Sequence, residues 1–158
     1  MGAGGPASEL IMFIVAVIVA GTVAGALTYV TNDIAHGIND KGSLLADKLR
    51  TDFAIINDPL NIPNSTSTSQ YNYTFYIKNT GKTQFPFNPN AVQVFIDGDI
   101  VPPSNLTFTD INNNTITYLN PYEVGKIVVS LSGPLTKGSH RIVVVLENGE
   151  RRSLIFKI

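Results

Sequence analysis

Residues 10–30 read LIMFIVAVIVAGTVAGALTYV, an uninterrupted run without a single charge. At 1.5 Å rise per residue, a helix of that length spans roughly 30 Å, the thickness of a bilayer's hydrocarbon core. A soluble helix this long would carry a polar stripe along one side, and none is present. A cleaved secretory signal would need a basic region ahead of a shorter apolar core. Residues 1–8, MGAGGPAS, contain no Lys or Arg. The reading is a retained transmembrane helix over 10–30, preceded by a tail over 1–9. Within the run, Ala16, Ala20, Ala24 and Thr28 recur every fourth residue beside the pair Gly21 and Gly25. Ala20, Gly21, Ala24 and Gly25 are candidate helix-packing positions, because small side chains let a second helix approach and gain dispersion contacts that lipid does not supply. The plain alternative is the ordinary abundance of small residues in membrane helices.

Glu9 stands directly before the apolar run. A carboxylate at a helix N-terminus is favoured by the helix dipole, which accounts for it without further role. It is also the candidate registration residue. Were the chain cut after Gly4, Glu9 would be the fifth residue of the product, where type IV pilin-like proteins keep a glutamate that registers neighbouring subunits. The basic residues that precede such a cut are missing here. Past Val30 the apolar residues Ile34, Ile38, Leu45, Leu49, Phe53 and Ile56 fall three, four or seven apart, interleaved with Asp33, Asp40, Lys41, Asp47, Lys48, Arg50 and Asp52. This predicts an amphipathic helical stem over 31–56. It would stop before Asn57-Asp58-Pro59, because the residue ahead of a proline avoids the helical region. Its apolar stripe needs cover from a β domain or a neighbouring stem.

Residues 57–70, NDPLNIPNSTSTSQ, read as a flexible polar linker. From Tyr71 the period changes to two: Tyr71, Tyr73, Phe75 and Ile77 alternate with Asn72, Thr74, Tyr76 and Lys78. Turn signals at Asn79-Thr80-Gly81-Lys82, Asp97-Gly98, Asn112-Asn113-Asn114, Gly133-Pro134 and Asn148-Gly149 punctuate about seven short strands. The fold class expected is an N-terminal transmembrane α-helix with an amphipathic extension, followed by an all-β immunoglobulin-like sandwich over 71–158. The late strands, Ile127 to Val129, Ile142 to Leu146 and Leu154 to Phe156, are apolar on both faces, whereas an ordinary sandwich strand wets one face. Val128, Val143, Val145 and Ile155 are therefore candidate interface residues, lying under the stem or against a partner subunit.

Composition narrows the chemistry. Eleven basic and 12 acidic residues leave a net charge of -1, without the clustered cations that nucleic acid requires. Lys137, His140, Arg141, Arg151 and Arg152 read as a solvated face. The absence of cysteine removes disulfides, thiol catalysis and thiolate metal sites. The two histidines, His36 and His140, have no neighbouring ligand to complete a zinc site. Asp110-Ile111-Asn112-Asn113-Asn114 imitates the opening of a calcium loop, yet Thr115 stands where that loop needs glycine and Pro121 where it needs glutamate. No catalytic residue, cofactor, metal or small-molecule substrate is expected.

Two signals disagree about which side of a membrane the β region occupies. Four Asn-X-Ser/Thr acceptors, Asn64, Asn72, Asn105 and Asn113, favour an external domain as possible N-glycosylation sites. Lys41, Lys48 and Arg50 follow the span with nothing basic before it, which favours the opposite orientation.

The uncharged span with Glu9 at its edge, together with the stem's close in Leu49-Arg50-Thr51-Asp52-Phe53-Ala54-Ile55-Ile56-Asn57-Asp58-Pro59, resembles the FlaG family of accessory proteins of the archaeal flagellum, the archaellum. The resemblance covers residues 9–59 most specifically and extends beyond them through the general β-sandwich character. It implies a stator component in the archaeal cell membrane, single-pass, with the β domain outside the cytoplasm. It also implies anchoring of the motor together with FlaF and surface-layer proteins, and assembly of like subunits into short filaments. Two other readings stay open from the residues. One is an archaellin or pilin filament subunit, and the other is a membrane-tethered module that binds glycan or cell-wall polymer.

Overall fold

The computed structural model describes residues 4–67 and 69–158, and the chain divides between Leu44 and Leu45 into two compact units. The helix α1, Gly4–Arg50, supplies the first unit and contributes its last six residues to the second. It is long and apolar enough to cross a membrane, and none of its residues is buried within the chain. Polar groups in the apolar stretch are satisfied locally. The hydroxyls of Thr22, Thr28 and Thr31 donate to the carbonyls of Val19 (2.8 Å), Ala24 (2.9 Å) and Leu27 (2.7 Å). Because α1 starts at Gly4, Glu9 lies past the first turn. The dipole explanation for its position fails, since that field falls off within the first turn.

The stem also stops earlier than its spacing predicts. The helical hydrogen bonds end with Thr51 N–H to the Asp47 carbonyl, and Phe53–Ile55 forms a strand, β1. Leu49, Phe53 and Ile56 satisfy a helical period, but Phe53 is buried to 1 % exposure, paired opposite Asn79. Tertiary burial overrides local periodicity here. The expected linker over 57–70 is structured as well. Ile62 lies in the core, and Asn64–Ser67 forms β2. Asn57 is buried, its Nδ2 donating to the Thr74 carbonyl (2.9 Å) and its Oδ1 accepting from Tyr76 N–H (2.6 Å). The asparagine side chain thus completes the edge of the neighbouring strand between β1 and β2.

The remaining strands are β3 (Gln70–Asn79), β4 (Phe85–Pro86), β5 (Gln93–Ile96), β6 (Asp99–Ile100), β7 (Leu106–Asp110), β8 (Tyr118–Leu119), β9 (Val124–Leu131), β10 (Ser139–Val145) and β11 (Arg151–Lys157). The first sheet runs β1-β3-β9-β7, with β2 also on β3; the second runs β11-β10-β5-β6; β4 and β8 form a small separate ladder. Every pairing is antiparallel, so period-two alternation sends one set of side chains inward from each sheet. Phe75, Ile77, Phe108, Ile127 and Val129 from the first sheet meet Val94, Ile142, Val144 and Phe156 from the second. Phe75 stands edge-on to Phe156 at 5.3 Å, and Phe87 edge-on to Phe108 at 4.9 Å. The β5–β6 hairpin turns through Asp97 (φ 54°) and Gly98 (φ 98°), the left-handed pair that matches the strand twist.

Candidate functional site

Three places in the chain could carry function, and each is built by a different part of the sequence. The first is the end of α1. A helix leaves its last carbonyls unpaired, and the turn after β3 supplies a donor to the final one and two more to the residue just past the helix. Lys82 N–H reaches the Arg50 carbonyl at 2.8 Å, while Thr80 and Gly81 N–H reach that of Asp52 at 3.0 and 2.9 Å. The approach is so close that a Cβ on Gly81 would lie 2.5 Å from both the Arg50 oxygen and the Asp52 nitrogen. Only glycine fits. Asn79, fully buried, shapes this turn by donating to the carbonyls of Thr83 and Leu119 (2.9 Å each) and accepting from Gly81 N–H (2.9 Å). Asp52 accepts from Phe53 N–H (2.8 Å) and from Arg152 Nη2 of β11 (2.5 Å), and that guanidinium sits 6.0 Å from the Phe53 ring centroid. Arg152 also pairs with Glu150. The end of α1 is therefore bonded to the turn after β3, and Asp52 just past it to β11.

The second place is the outer face of the second sheet. Val143 lies opposite Phe95 and Ser153, and Phe95 lies opposite Ile100. Ile155 is opposite Arg141 and Val145 opposite Gln93 and Arg151. The result is an apolar band in which Ile100 and Ile155 are more than half exposed (58 % and 56 %), and Phe95, Val143 and Val145 are partly so. Of the four expected interface residues, Val143, Val145 and Ile155 come together here. Val128 does not, because it sits on the outer face of the first sheet between Thr74 and Thr107.

A shallow depression of about 540 Å³ at one end of this band is lined by Asp97, Gly98, Ser139, His140, Arg141, Val143 and Ile155. His140 is buried (8 % exposed), with Nδ1 2.6 Å from Asp97 Oδ2 and Nε2 2.7 Å from the Thr136 carbonyl. Two acceptors face two ring nitrogens, so only the imidazolium donates to both. The Asp97 carboxylate, then the Thr136 carbonyl, raise the His140 pKa above its usual value, and the His140 hydrogen bond holds Asp97 below the carboxylate range. Reading His140 as part of a solvated basic face is corrected by this burial. The signal was present in the phase of His140, Ile142 and Val144, which all point to the core.

The third place is the groove along α1 lined by Met12, Val15, Ala16, Val19, Ala20, Val23, Ala24 and Leu27. Ala20 and Ala24 are among its lining, while Gly21 and Gly25 lie outside it with open space where a Cβ would be.

The loop resembling a calcium site is occupied by the protein itself. The Lys126 ammonium, 8 % exposed, donates to Asn113 Oδ1 (2.5 Å) and the Ile111 carbonyl (3.2 Å). Asp110 folds the loop by accepting from Asn112 N–H (2.7 Å), Asn114 N–H (2.8 Å) and Asn114 Nδ2 (2.9 Å). The Asn114 contacts hold its carboxyl below the ordinary carboxylate pKa. Of the possible glycosylation acceptors, Asn64 and Asn113 are exposed, while Asn72 and Asn105 are half-buried. Among the described residues, no group of three or more His, Cys, Asp or Glu side chains converges as a metal site would.

The model of the archaeal-type flagellin family matches residues 2–156. A protein named putative flagella-related protein G from Methanocaldococcus jannaschii is 41 % identical over 145 residues, covering 92 % of this chain and 90 % of its own. One of the same name from Methanococcus voltae is 34 % identical over 152 residues, covering 96 % and 95 %. Among solved structures, the archaellum periplasmic stator protein FlaG from Sulfolobus acidocaldarius aligns with 26 % identity and a TM-score of 0.46, covering 67 % of this chain and 99 % of that one.

Proposed function

Because the chain belongs to the archaeal-type flagellin family, we propose that it is an archaellum stator component of the flagella-related protein G kind, one that holds the rotary motor still against the cell envelope. In this reading α1 spans the cell membrane once through residues 10–30, and the sandwich lies outside the cytoplasm. It acts there on FlaF, surface-layer proteins and like subunits. The observation that carries the proposal is the join at Arg50–Asp52. A subunit that resists torque must pass force on to its gripping domain, and here the last helical carbonyl, that of Arg50, accepts from Lys82 N–H at 2.8 Å, while the Asp52 carbonyl just past the helix accepts from Thr80 and Gly81 N–H at 3.0 and 2.9 Å. The apolar band of Phe95, Ile100, Val143, Val145 and Ile155 is the gripping surface, since exposed apolar area of this kind marks protein contacts.

The test is whole-cell cross-linking with identification of the partners by mass spectrometry, in the native chain and in Val143→Glu and Ile155→Asp. The expected result is capture of FlaF or of a second copy, reduced several-fold in both variants. Unchanged capture would exclude the sheet face. Release of the chain from membranes by carbonate would remove the anchor and the proposal with it.

A filament subunit is the second reading, favoured by the family's flagellin description and by the five-residue spacing of Gly4 and Glu9. N-terminal sequencing of the protein isolated from membranes separates the two. A start at Gly5 supports the filament, and an intact Met1 supports the stator.

A further inference from the structure

Of the four Asn-X-Ser/Thr triplets, the structure distinguishes one as a usable acceptor. Asn64-Ser65-Thr66 begins β2 and all three residues are exposed. In extended backbone the side chains of residues i and i+2 share a face, so Asn64 and Thr66 stand on the same face of β2. Its amide is lightly held, with Nδ2 donating to the Ile62 carbonyl at a long 3.3 Å and to nothing else among the described residues. The strand pairs on one side with β3, and among the described strands no partner covers its other edge.

The other triplets are compromised, each for its own reason. Asn72 lies on β3 between β2 and β9, half-buried, with Oδ1 accepting the Ser130 hydroxyl at 2.7 Å and the buried Tyr73 in the middle of its triplet. Asn105 is half-buried and is followed by buried Leu106. Asn113 is exposed, but its Oδ1 takes the Lys126 ammonium at 2.5 Å. A cation on the amide oxygen draws the nitrogen lone pair further into the carbonyl, which makes that nitrogen a poorer nucleophile.

We propose that Asn64 is an N-glycosylation site. This rests on the reading that places the sandwich outside the cytoplasm. The donor class is an oligosaccharide carried on a membrane polyisoprenyl phosphate, acted on by a membrane transferase. A bond forms between Asn64 Nδ2 and the anomeric carbon of the first sugar as that carbon's bond to the phosphate oxygen breaks. The electron pair leaves with the lipid phosphate, and the amide gives up one proton to the transferase base. A glycan at this position shields the open edge of β2, which would otherwise be free to pair with another strand.

The test uses the full chain isolated from membranes of its archaeal host. Trypsin releases residues 51–78, which hold Asn64 and Asn72, separately from residues 83–126, which hold Asn105 and Asn113. The expected result is a glycan mass on 51–78 that is lost in Asn64→Gln and in Thr66→Ala and kept in Asn72→Gln. An unmodified 51–78 peptide overturns the proposal, as does a glycan that survives Asn64→Gln. Protease added to intact cells reports the orientation separately. A sandwich cleaved from outside yet bare at Asn64 sinks the glycosylation alone, whereas a protected sandwich sinks the external placement and the glycosylation together.

Discussion

Replacing Gly81 by alanine tests the join between α1 and the sandwich with the smallest possible change. The new methyl carbon would begin 2.5 Å from the Arg50 oxygen and the Asp52 nitrogen, both backbone atoms that no side-chain rotation can move aside. Restoring an ordinary contact of 3.4 Å demands a separation of about 0.9 Å. A retreat of that size stretches the three bonds from Thr80, Gly81 and Lys82, now 2.8–3.0 Å, beyond hydrogen-bond range. At about 1 kcal/mol net for each bond the loss is roughly 3 kcal/mol. Alanine's stiffer unfolded chain returns about 0.4–1 kcal/mol, so the net destabilisation is about 2 kcal/mol. For a domain of this size that lowers the melting temperature by roughly 10 °C. Thermal unfolding of the full chain in detergent, followed by near-ultraviolet circular dichroism, reads the shift. Amide exchange at Lys82 reads the local opening. A variant that melts within a degree of the native chain, with Lys82 still protected, would refute the idea that this turn clamps the helix.

Three further outcomes are expected. The His140–Asp97 pair should stabilise the sandwich most between pH 3.8 and 6.5. The raised histidine pKa makes its contribution complete below 6.5 and lost as pH climbs through the folded value, while the lowered aspartate pKa makes its contribution complete above 3.8 and lost as pH falls through the folded value. Melting curves from pH 3 to 9 should show that plateau, and His140→Gln should abolish the fall on the alkaline side. Lys126→Met should cost about 1 kcal/mol in urea unfolding, because it removes the bonds of the buried ammonium to the Asn113 amide oxygen and the Ile111 carbonyl, both near enough to solvent for water to replace part of the loss; a loss below the resolution of the measurement would count against the ammonium as the loop's staple. Thr109→Val should be neutral or raise stability by up to about 1 kcal/mol, since the Thr109 hydroxyl is buried without a partner among the described residues; a marked loss by the same assay would mean that the hydroxyl is satisfied.

The large architecture was legible because it rests on long, repeated signals. The uncharged run from Leu10 fixes a helix, and the alternation from Tyr71 fixes a half-buried strand that the structure extends over Gln70–Asn79. What escaped reading was local sequence compatible with two periods. Phe53 and Ile55 fit a strand as well as Leu49, Phe53 and Ile56 fit a helix, and only the burial of Phe53 against the sandwich decides between them. β2 consists of Asn, Ser and Thr exposed on both faces, so no alternation marks it. The bifacial apolar character of the late strands was visible, but which sheet each strand joins was not. Val128 parted from Val143, Val145 and Ile155 for that reason.

Lys126 has a consequence for where such a domain can work. A loop closed by calcium opens whenever the surrounding water is poor in that ion, and its strength follows the local salinity. Here the positive charge is tethered by four methylenes to β9, so its effective concentration beside Asn113 is set by covalent geometry and no dilution or chelator can strip it away. The shape of this loop is then independent of how much calcium the surrounding water holds.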